Sequence, residues 1–582
     1  MGILNRHRPT PRQPLTAPAP IGLVEEFSQR LIVGWVSVPP GSPPTRVVLR
    51  LGDLQVSATY ATPGPSMSGS GSVLRNPVPG QPAPQSRLAH PWQVPMIAGP
   101  ADDRRNSPDE IRTFSFRVRG IWEYARPSTP VSVSTGGVRL PIMGHGMFLR
   151  PPHRGRRTVA ELRRRFEAGY LLTQNGRIAL SKQLDHEWQR AVMSLYTRVR
   201  ERLSEAYGYD VFFLYGTLLG AVREGGYIGH DIDFDAGYVS DHRTGPLAAA
   251  ELRDIALLLI RDGLDVDCRL TALHIVDPDH PGHRIDLFHT WFDDDGVLRF
   301  PFGVAGTRQV YETEWSGTRE IEFPGGRGLV PVAAEALVAQ LYGEDWRQPK
   351  PGFNWNLDRT ESAPEGRLTT AMRTMAYWAN FYARNSYASG STFFEFVNAR
   401  ADTPATIIDI GCGDGRDSCA FAVAGRQVLG LDQSPVGIEN AAAHAHRLEV
   451  ADHCRFLVCD VADIDDLRRA LDQGVERGEE PLMFYLRFFL HAIDDEVQDG
   501  LLAAIDTHAR AGDYFAAEFR TDKDEQNSHV HTRHYRRFQN AAEFSARLTG
   551  ELRFEILHEE ERTGLSPYRD EDPVLYRVIA RR

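Results

Sequence analysis

The period at which apolar and polar residues alternate changes twice along the chain, and each change marks a domain boundary. From Arg30 to Val38 and from Arg46 to Ala61 it repeats every second residue, as on a strand with one buried face, and Gly52-Asp53 interrupts the second run as a hairpin turn does. Thr113 to Arg119 and Val131 to Met143, with Gly136-Gly137 at a further turn, continue the pattern beyond a Pro/Gly/Ser-rich insertion from Thr62 to Pro108. Together these runs predict an N-terminal β-sandwich over residues 1–150, in which no carboxylate or histidine cluster recurs. The period then becomes helical: Leu184, Trp188, Val192, Leu195, Val199 and Leu203 form one stripe, of the kind that ordinarily faces a core. A second break, Pro349 to Gly366, separates a central α+β domain (155–365) from a C-terminal α/β domain (370–582) in which helices and strands alternate.

Composition narrows the classes. The chain has 582 residues, 42% hydrophobic and 25% charged, which is globular throughout and too long for one core. A net charge of -11 argues against a nucleic-acid partner, which would favour a basic surplus. The longest apolar run, Ile255 to Ile260, is far short of the roughly 20 residues a spanning helix needs. Met1 to Pro20 has no apolar core of a signal peptide, so the expectations are no membrane span and a cytoplasmic location. Cys268, Cys412, Cys419, Cys454 and Cys459 include no Cys-x-x-Cys pair, so neither a zinc site nor a disulfide framework is expected.

In the central domain, the strand Val211 to Tyr215 runs into Gly216-Thr217, a short helix to Arg223, and then His230-Asp231-Ile232-Asp233-Phe234-Asp235. On an extended segment residues at i and i+2 share a side, so Asp231, Asp233 and Asp235 converge, and Asp286 sits between apolar neighbours of a further strand, Arg284 to Phe288. Converging carboxylates repel unless a cation joins them, and hard oxygen ligands suit Mg²⁺ or Mn²⁺; the plainer reading is a solvated acidic turn. The run Tyr215 to Ile228 leading into His230 to Asp233, with the later Tyr342-Gly343-Glu344-Asp345-Trp346, resembles the LicD/fukutin-like family of the nucleotidyltransferase fold, over roughly Thr158 to Thr360. The resemblance implies metal-dependent transfer of a phospho-alcohol from a CDP-activated donor to a glycan or glycolipid hydroxyl. Asp231 and Asp233 would bind the metal, and Asp286 would be a metal ligand or general base. Gly216 and Thr217 would let the diphosphate approach the backbone, and Arg223 would clamp a phosphate. Gly229-His230 stand where family members often carry an aromatic residue and an extra Asp.

In the C-terminal domain the strand Thr406 to Ile410 runs straight into Gly411-Cys412-Gly413-Asp414-Gly415, whose glycines permit a sharp turn with backbone bare to a ligand. Strands ending at Asp432, at Asp460 and before Arg487 place polar residues at strand carboxyl ends, where such sheets bind ligands. From about Tyr377 to Arg582 the chain resembles class I S-adenosylmethionine-dependent methyltransferases. That likeness implies that Asp409, Gly411, Gly413 and Gly415 surround the methionine part of the cofactor, that Asp432 holds the ribose and that Asp460 contacts the adenine. A dehydrogenase is the rival, but Gly-x-Gly-x-Gly is not its Gly-x-Gly-x-x-Gly form. Arg487, His491, Glu518 and Arg520, with His529, His531, Arg533, His534, Arg536 and Arg537, suggest an anion pocket with His491 as general base.

The sum is a bifunctional enzyme that transfers a phospho-alcohol to a cell-surface polysaccharide and O-methylates a sugar or phosphate, in peripheral association with glycan-assembly machinery. The alternative is a methyltransferase whose LicD-like domain is a scaffold or acceptor-binding module. The short Pro349–Gly366 segment predicts two sites that work independently, without channelling.

Overall fold

The computed structural model describes residues 21–63, 109–151, 154–350, 353, 355, 359–360, 363–385, 389–400, 402–474, 480–527, 536–569 and 571–582. Most of the Pro-rich insertion and the cluster His529, His531, Arg533 and His534 lie outside the described residues.

The alternating N-terminal runs form β1 (Gly22–Phe27), β2 (Leu31–Val38), β3 (Thr45–Leu51), β4 (Leu54–Pro63), β5 (Glu110–Arg117), β6 (Val131–Thr135) and β7 (Val138–Arg139). Their inward positions, among them Ile32, Val36, Val47, Leu49, Phe114 and Val133, make one core. The strands follow one antiparallel path, ordered β1-β2-β5-β4-β3-β6-β7. The reason is β4: its first part pairs with β3 and its last residues with β5, so one strand belongs to both halves. The ends of the path also meet, because Val24 N–H donates to the Pro141 carbonyl and Met143 N–H to that of Val24.

Helix α1 (Val159–Glu167) and the hairpin β8 (Tyr170–Leu172) and β9 (Ile178–Leu180) lead to α2 (His186–Tyr207). Trp188, Val192, Leu195, Val199 and Leu203 are buried along α2 as the stripe requires, but Leu184 precedes the helix and is 51% exposed. Asp185 sets that boundary: its carboxylate accepts from Trp188 N–H and starts the helix after Leu184.

The central domain continues with β10 (Phe212–Phe213), α3 (Tyr215–Arg223), β11 (Asp235–Ser240), α4 (Gly245–Arg261), β12 (Asp265–Cys268), β13 (Ala272–Val276), β14 (Arg284–Phe292) and β15 (Leu298–Arg299). The hairpin β16 (Thr318–Phe323) and β17 (Gly326–Pro331) and helix α5 (Ala334–Tyr342) follow. The sheet order is β10-β11-β14-β13-β12, and β11 runs parallel to β14 with Asp235 opposite Asp286.

The C-terminal domain comprises α6 (Thr370–Arg384), α7 (Thr392–Asn398), β18 (Thr406–Ile410), α8 (Arg416–Val423), β19 (Gln427–Asp432), α9 (Pro435–Arg447) and β20 (Cys454–Val458). It continues through α10 (Ile464–Gly474), β21 (Leu482–Arg487), α11 (Asp495–His508), β22 (Tyr514–Arg520), α12 (Ala541–Gly550), β23 (Glu555–Arg562) and β24 (Leu575–Arg581). Its order is β20-β19-β18-β21-β22-β24-β23, parallel from β20 to β22 and antiparallel in the last two strands. Strand order reverses at β18, which leaves a crevice off the carboxyl ends of β18 and β21.

The break at Pro349–Gly366 does not separate two independent bodies. Ala376 and Ala379 of α6, Leu368 before it and Val436 of α9 pack in the same core as the central sheet. Asn380 Nδ2 donates to Asp265 (2.7 Å), Arg384 pairs with the same carboxylate (2.6 Å), and Arg261 Nε and Nη2 grip Glu439 at 2.9 and 2.8 Å. Among the described residues no helix is long and apolar enough to cross a membrane.

Candidate functional site

Two cavities lie at the ends of these sheets, one of about 870 Å³ off β18 and β21 and one of about 600 Å³ off β11 and β14. In the larger, the chain leaves β18 through Gly411 (φ 81°) and Gly413 (φ 58°), both in the left-handed region. A Cβ on Gly411 would overlap the Phe489 ring, and one on Gly413 would lie 2.6 Å from the Tyr382 hydroxyl, so only glycine keeps this backbone against the cavity. Asp432, at the end of β19, accepts from Gly413 N–H at 3.0 Å and from Ser434 N–H at 2.8 Å, which ties the two strand ends together. Burial pushes its pKa up to about 6, against the pull of those two backbone donors. Burial likewise holds Asp409 at about 8, where its carboxyl takes the Ser418 hydroxyl at 2.6 Å, and Asp414 at about 6. Asp460 lines the same cavity and accepts from Ala462 N–H at 3.0 Å. Gly415 is off the wall: it opens α8, with Ala441 filling the place of its Cβ. A glycine cradle flanked by rings, with a carboxylate at the next strand end, fits a nucleoside cofactor such as S-adenosylmethionine.

On the acceptor side the residues divide. Arg487 lies in the cavity wall, its Nε 3.2 Å from Glu518 and 3.8 Å from Asp417. Glu518, expected to touch substrate, is fully buried behind that wall and accepts a second bond from Arg577 at 2.6 Å. Both of its oxygens face guanidinium groups, so it anchors arginines. Arg520 pairs with Asp524 and Glu571, each at 2.6 Å, at the cavity edge. His491 is 5% exposed in the wall, and its Nδ1 accepts from Arg520 N–H at 3.4 Å. Arg536 lines the cavity, whereas Arg537 turns to Asp495 and Gln498. Sequence reasoning missed Tyr377, Trp378, Phe381 and Tyr382 of α6, which form a wall of the cavity. The available signal was their spacing, i, i+1, i+4 and i+5, which puts four aromatic rings on one helical face.

In the smaller cavity Gly216, Arg223, Asp231, Asp233, Asp235 and Asp286 do come together. Asp235, at the start of β11, accepts from Gly216 N–H at 2.9 Å, and a side chain on Gly216 would overlap Asp231. Thr217 departs from expectation: it is 3% exposed and its hydroxyl accepts from Asp235 N–H at 2.8 Å, so it braces the strand and is not on the wall. Arg223 is spent on Glu224 at 2.8 Å and the Trp346 carbonyl at 3.3 Å. Burial first and the neighbouring Asp233 charge second push Asp231 up to about 7; burial does the same for Asp286, also to about 7. The donor chemistry suits a hard divalent cation, but the placement does not. Arg284 donates to Asp233 at 2.7 Å and to Asp286 at 3.1 Å, and so supplies the positive charge expected of a metal. Among the described residues no group of three or more His, Cys, Asp or Glu is placed to hold a metal ion.

Residues 402–473 match a family described as "Methyltransferase domain". No curated protein matches the chain. Among solved structures, one titled "Conversion of a Disulfide Bond into a Thioacetal Group during Echinomycin Biosynthesis" is 16% identical, with 37% of this chain and 93% of that one covered and a TM-score of 0.29. A SAM-dependent methyltransferase from Methanosarcina mazei is 16% identical (34% and 98% covered, TM-score 0.26). Geranyl diphosphate C-methyltransferase from Streptomyces coelicolor A3(2) is 17% identical (32% and 76% covered, TM-score 0.25). The family match lies wholly in the C-terminal domain. Residues 402–473 are thus similar to a methyltransferase domain, while the phospho-transfer and glycan expectations gain no support from these proteins.

Proposed function

We propose that the protein is an S-adenosylmethionine-dependent O-methyltransferase whose acceptor oxygen is acidic, on a sugar or phosphate group. The observation that carries this reading is the Gly411–Gly413 cradle, braced by Asp432 and opening into the cavity of about 870 Å³. When bound, the cofactor supplies a methyl group on a positively charged sulfur. Gly411 and Gly413 offer bare backbone to its amino-acid end, Asp432 accepts from ribose hydroxyls with the lone pairs its backbone donors leave, and Asp460 stands at the adenine end. Bound there, the cofactor would methylate an acceptor oxygen held against it by the residues of the opposite wall. A hydroxyl acceptor must also lose a proton to a base, which an already anionic oxygen does not. Arg487, Arg520 and Arg536 stand in the wall beside His491 and offer cationic donors to an anionic acceptor, Arg487 while paired with Glu518 and Arg520 while paired with Asp524 and Glu571.

Calorimetric titration of the whole chain with S-adenosylhomocysteine and, separately, with NAD⁺ tests this. Stoichiometric binding of S-adenosylhomocysteine alone is expected; binding of NAD⁺ alone would replace the reading with the dehydrogenase one.

A second reading, phospho-alcohol transfer from a CDP-activated donor to a glycan in the central cavity, is favoured by one observation, the four carboxylates gathered at Gly216. It requires Arg284 to leave Asp233 and Asp286. Release of CMP from CDP-choline or CDP-ribitol that stops in Asp233→Asn supports it, and no release with any divalent cation excludes these donors.

A further inference from the structure

The two cavities are neighbours. Arg367 is in the wall of the central cavity, and Thr370 and Ala371, three and four residues on, are in the wall of the methyltransferase cavity. Three peptide steps place the Cα atoms of Arg367 and Thr370 within about 11 Å of each other. Thr370 and Ala371 are exposed, so the methyltransferase cavity reaches its rim at the start of α6. The β12–β13 turn, Arg269 to Ala272, lines the central cavity, with Leu270 43% exposed. A hydrogen bond from Leu368 N–H to the Leu270 carbonyl, 2.9 Å, joins that turn to the segment between the cavities.

The spacing is also held. Helix α6 is shared: Ala376 and Ala379 enter the central core, while Tyr377, Trp378 and Tyr382 wall the methyltransferase cavity. The pairs Asn380–Asp265, Arg384–Asp265 and Arg261–Glu439 pin it and its neighbour α9 to the central sheet. Two cavities whose walls meet along one short, fixed segment are suited to one extended ligand more than to two unrelated ones. At the junction the wall of the central cavity includes two guanidinium groups, that of Arg367 and that of Arg269, which also pairs with Asp267 at 2.8 Å and reaches His274 at 3.2 Å; guanidinium donors match phosphate.

We infer that the central cavity is the anchoring subsite for the methyl acceptor: an elongated, phosphate-bearing acceptor lies across the start of α6, its phosphate end among Arg269 and Arg367 and its reacting oxygen in the methyltransferase cavity. This rests on the methyl-transfer reading above and adds to it where the far end of the acceptor is held. Tyr377 and Trp378 form the wall past which the acceptor enters, and the central domain becomes a specificity element of the methyltransferase.

A probe that needs no knowledge of the natural acceptor tests the inference. S-Adenosylhomocysteine analogues carry, on sulfur, a homologous series of ethylene glycol tethers ending in a phosphate, with matched analogues ending in a hydroxyl. Affinities are measured for the full chain and for Arg269→Ala and Arg367→Ala, with a thermal melt to confirm folding; Arg269→Gln serves where an Ala variant fails to fold. At one tether length the phosphate analogue is expected to bind about ten-fold or more tighter than its hydroxyl twin. The variants are expected to abolish that gain and leave the affinity for S-adenosylhomocysteine itself unchanged. Equal affinity of the phosphate and hydroxyl series at every length, or a gain that survives the variants, overturns the shared-acceptor inference while the methyltransferase reading stands. Failure of S-adenosylhomocysteine itself to bind overturns that reading instead.

Discussion

Asp432 offers the sharpest test of the cofactor site, because its carboxylate has two tasks before any ligand arrives: it accepts from Gly413 N–H at 3.0 Å and from Ser434 N–H at 2.8 Å. Replacing it by alanine strands both donors in a place where the residue is 9% exposed. Leaving a buried donor unsatisfied costs about 1–3 kcal/mol, so the two together cost about 2–6 kcal/mol of stability. For a domain of this size that corresponds to a fall in Tm of about 4–24 °C. Bonds from the ribose hydroxyls are lost besides, a further effect of about 1–3 kcal/mol that lowers affinity for S-adenosylhomocysteine about 5- to 150-fold. Asp432→Asn keeps one carbonyl acceptor but turns an amide donor toward one of the backbone N–H groups, so it should fall between wild type and Asp432→Ala in both measurements. Calorimetry with S-adenosylhomocysteine and differential scanning fluorimetry on the same preparations read the two effects separately. An Asp432→Ala protein that melts within about 2 °C of wild type and binds S-adenosylhomocysteine equally well would refute both the bracing and the ribose role.

Three further outcomes follow from other positions. Gly413→Ala must hold a Cβ 2.6 Å from the Tyr382 hydroxyl at φ 58°, so affinity for S-adenosylhomocysteine is expected to drop at least about ten-fold; Gly425→Ala, at φ 84° in open space, carries comparable backbone strain and should leave affinity unchanged. Glu518→Gln removes the negative charge shared by Arg487 and Arg577, and loss of one partner of a buried pair is expected to cost about 3–5 kcal/mol in a denaturant titration, while the Kd for S-adenosylhomocysteine of the protein that remains folded stays as in wild type. A Glu518→Gln chain of full stability would contradict its anchoring role. Burial raises Asp409 from its ordinary 3.8 to about 8, so the unfolded chain gives up this proton first; its stabilising contribution is complete below 3.8 and is lost as pH rises through 8. Asp409→Asn mimics the protonated form, and its Tm should fall less than that of wild type between pH 6 and pH 9; parallel slopes would show that Asp409 does not titrate there.

The sequence by itself determined what depends on near neighbours. Strand alternation, the α2 stripe from Trp188 to Leu203, the glycine turn after β18 and the acids at the ends of β19 and β20 are consequences of local periodicity and backbone freedom, and each stands where the chain pattern puts it. The same local rule brought Asp231, Asp233 and Asp235 toward one side, and Asp286 arrives beside Asp235 because β14 runs parallel to β11. What spacing could not contain is which charges meet from distant parts of the chain. Arg284 settles on Asp233 and Asp286 in place of a cation, Glu518 turns inward to Arg577, and Thr217 braces Asp235, because a buried polar group takes whichever partner the packed fold brings within reach. The largest departure is α6, whose residues the sequence assigns to one domain and whose small-residue face the tertiary structure buries in another. Local pattern names the faces of a helix, and only the packing of the whole chain decides which of two cores each face completes, and hence that the two cavities adjoin.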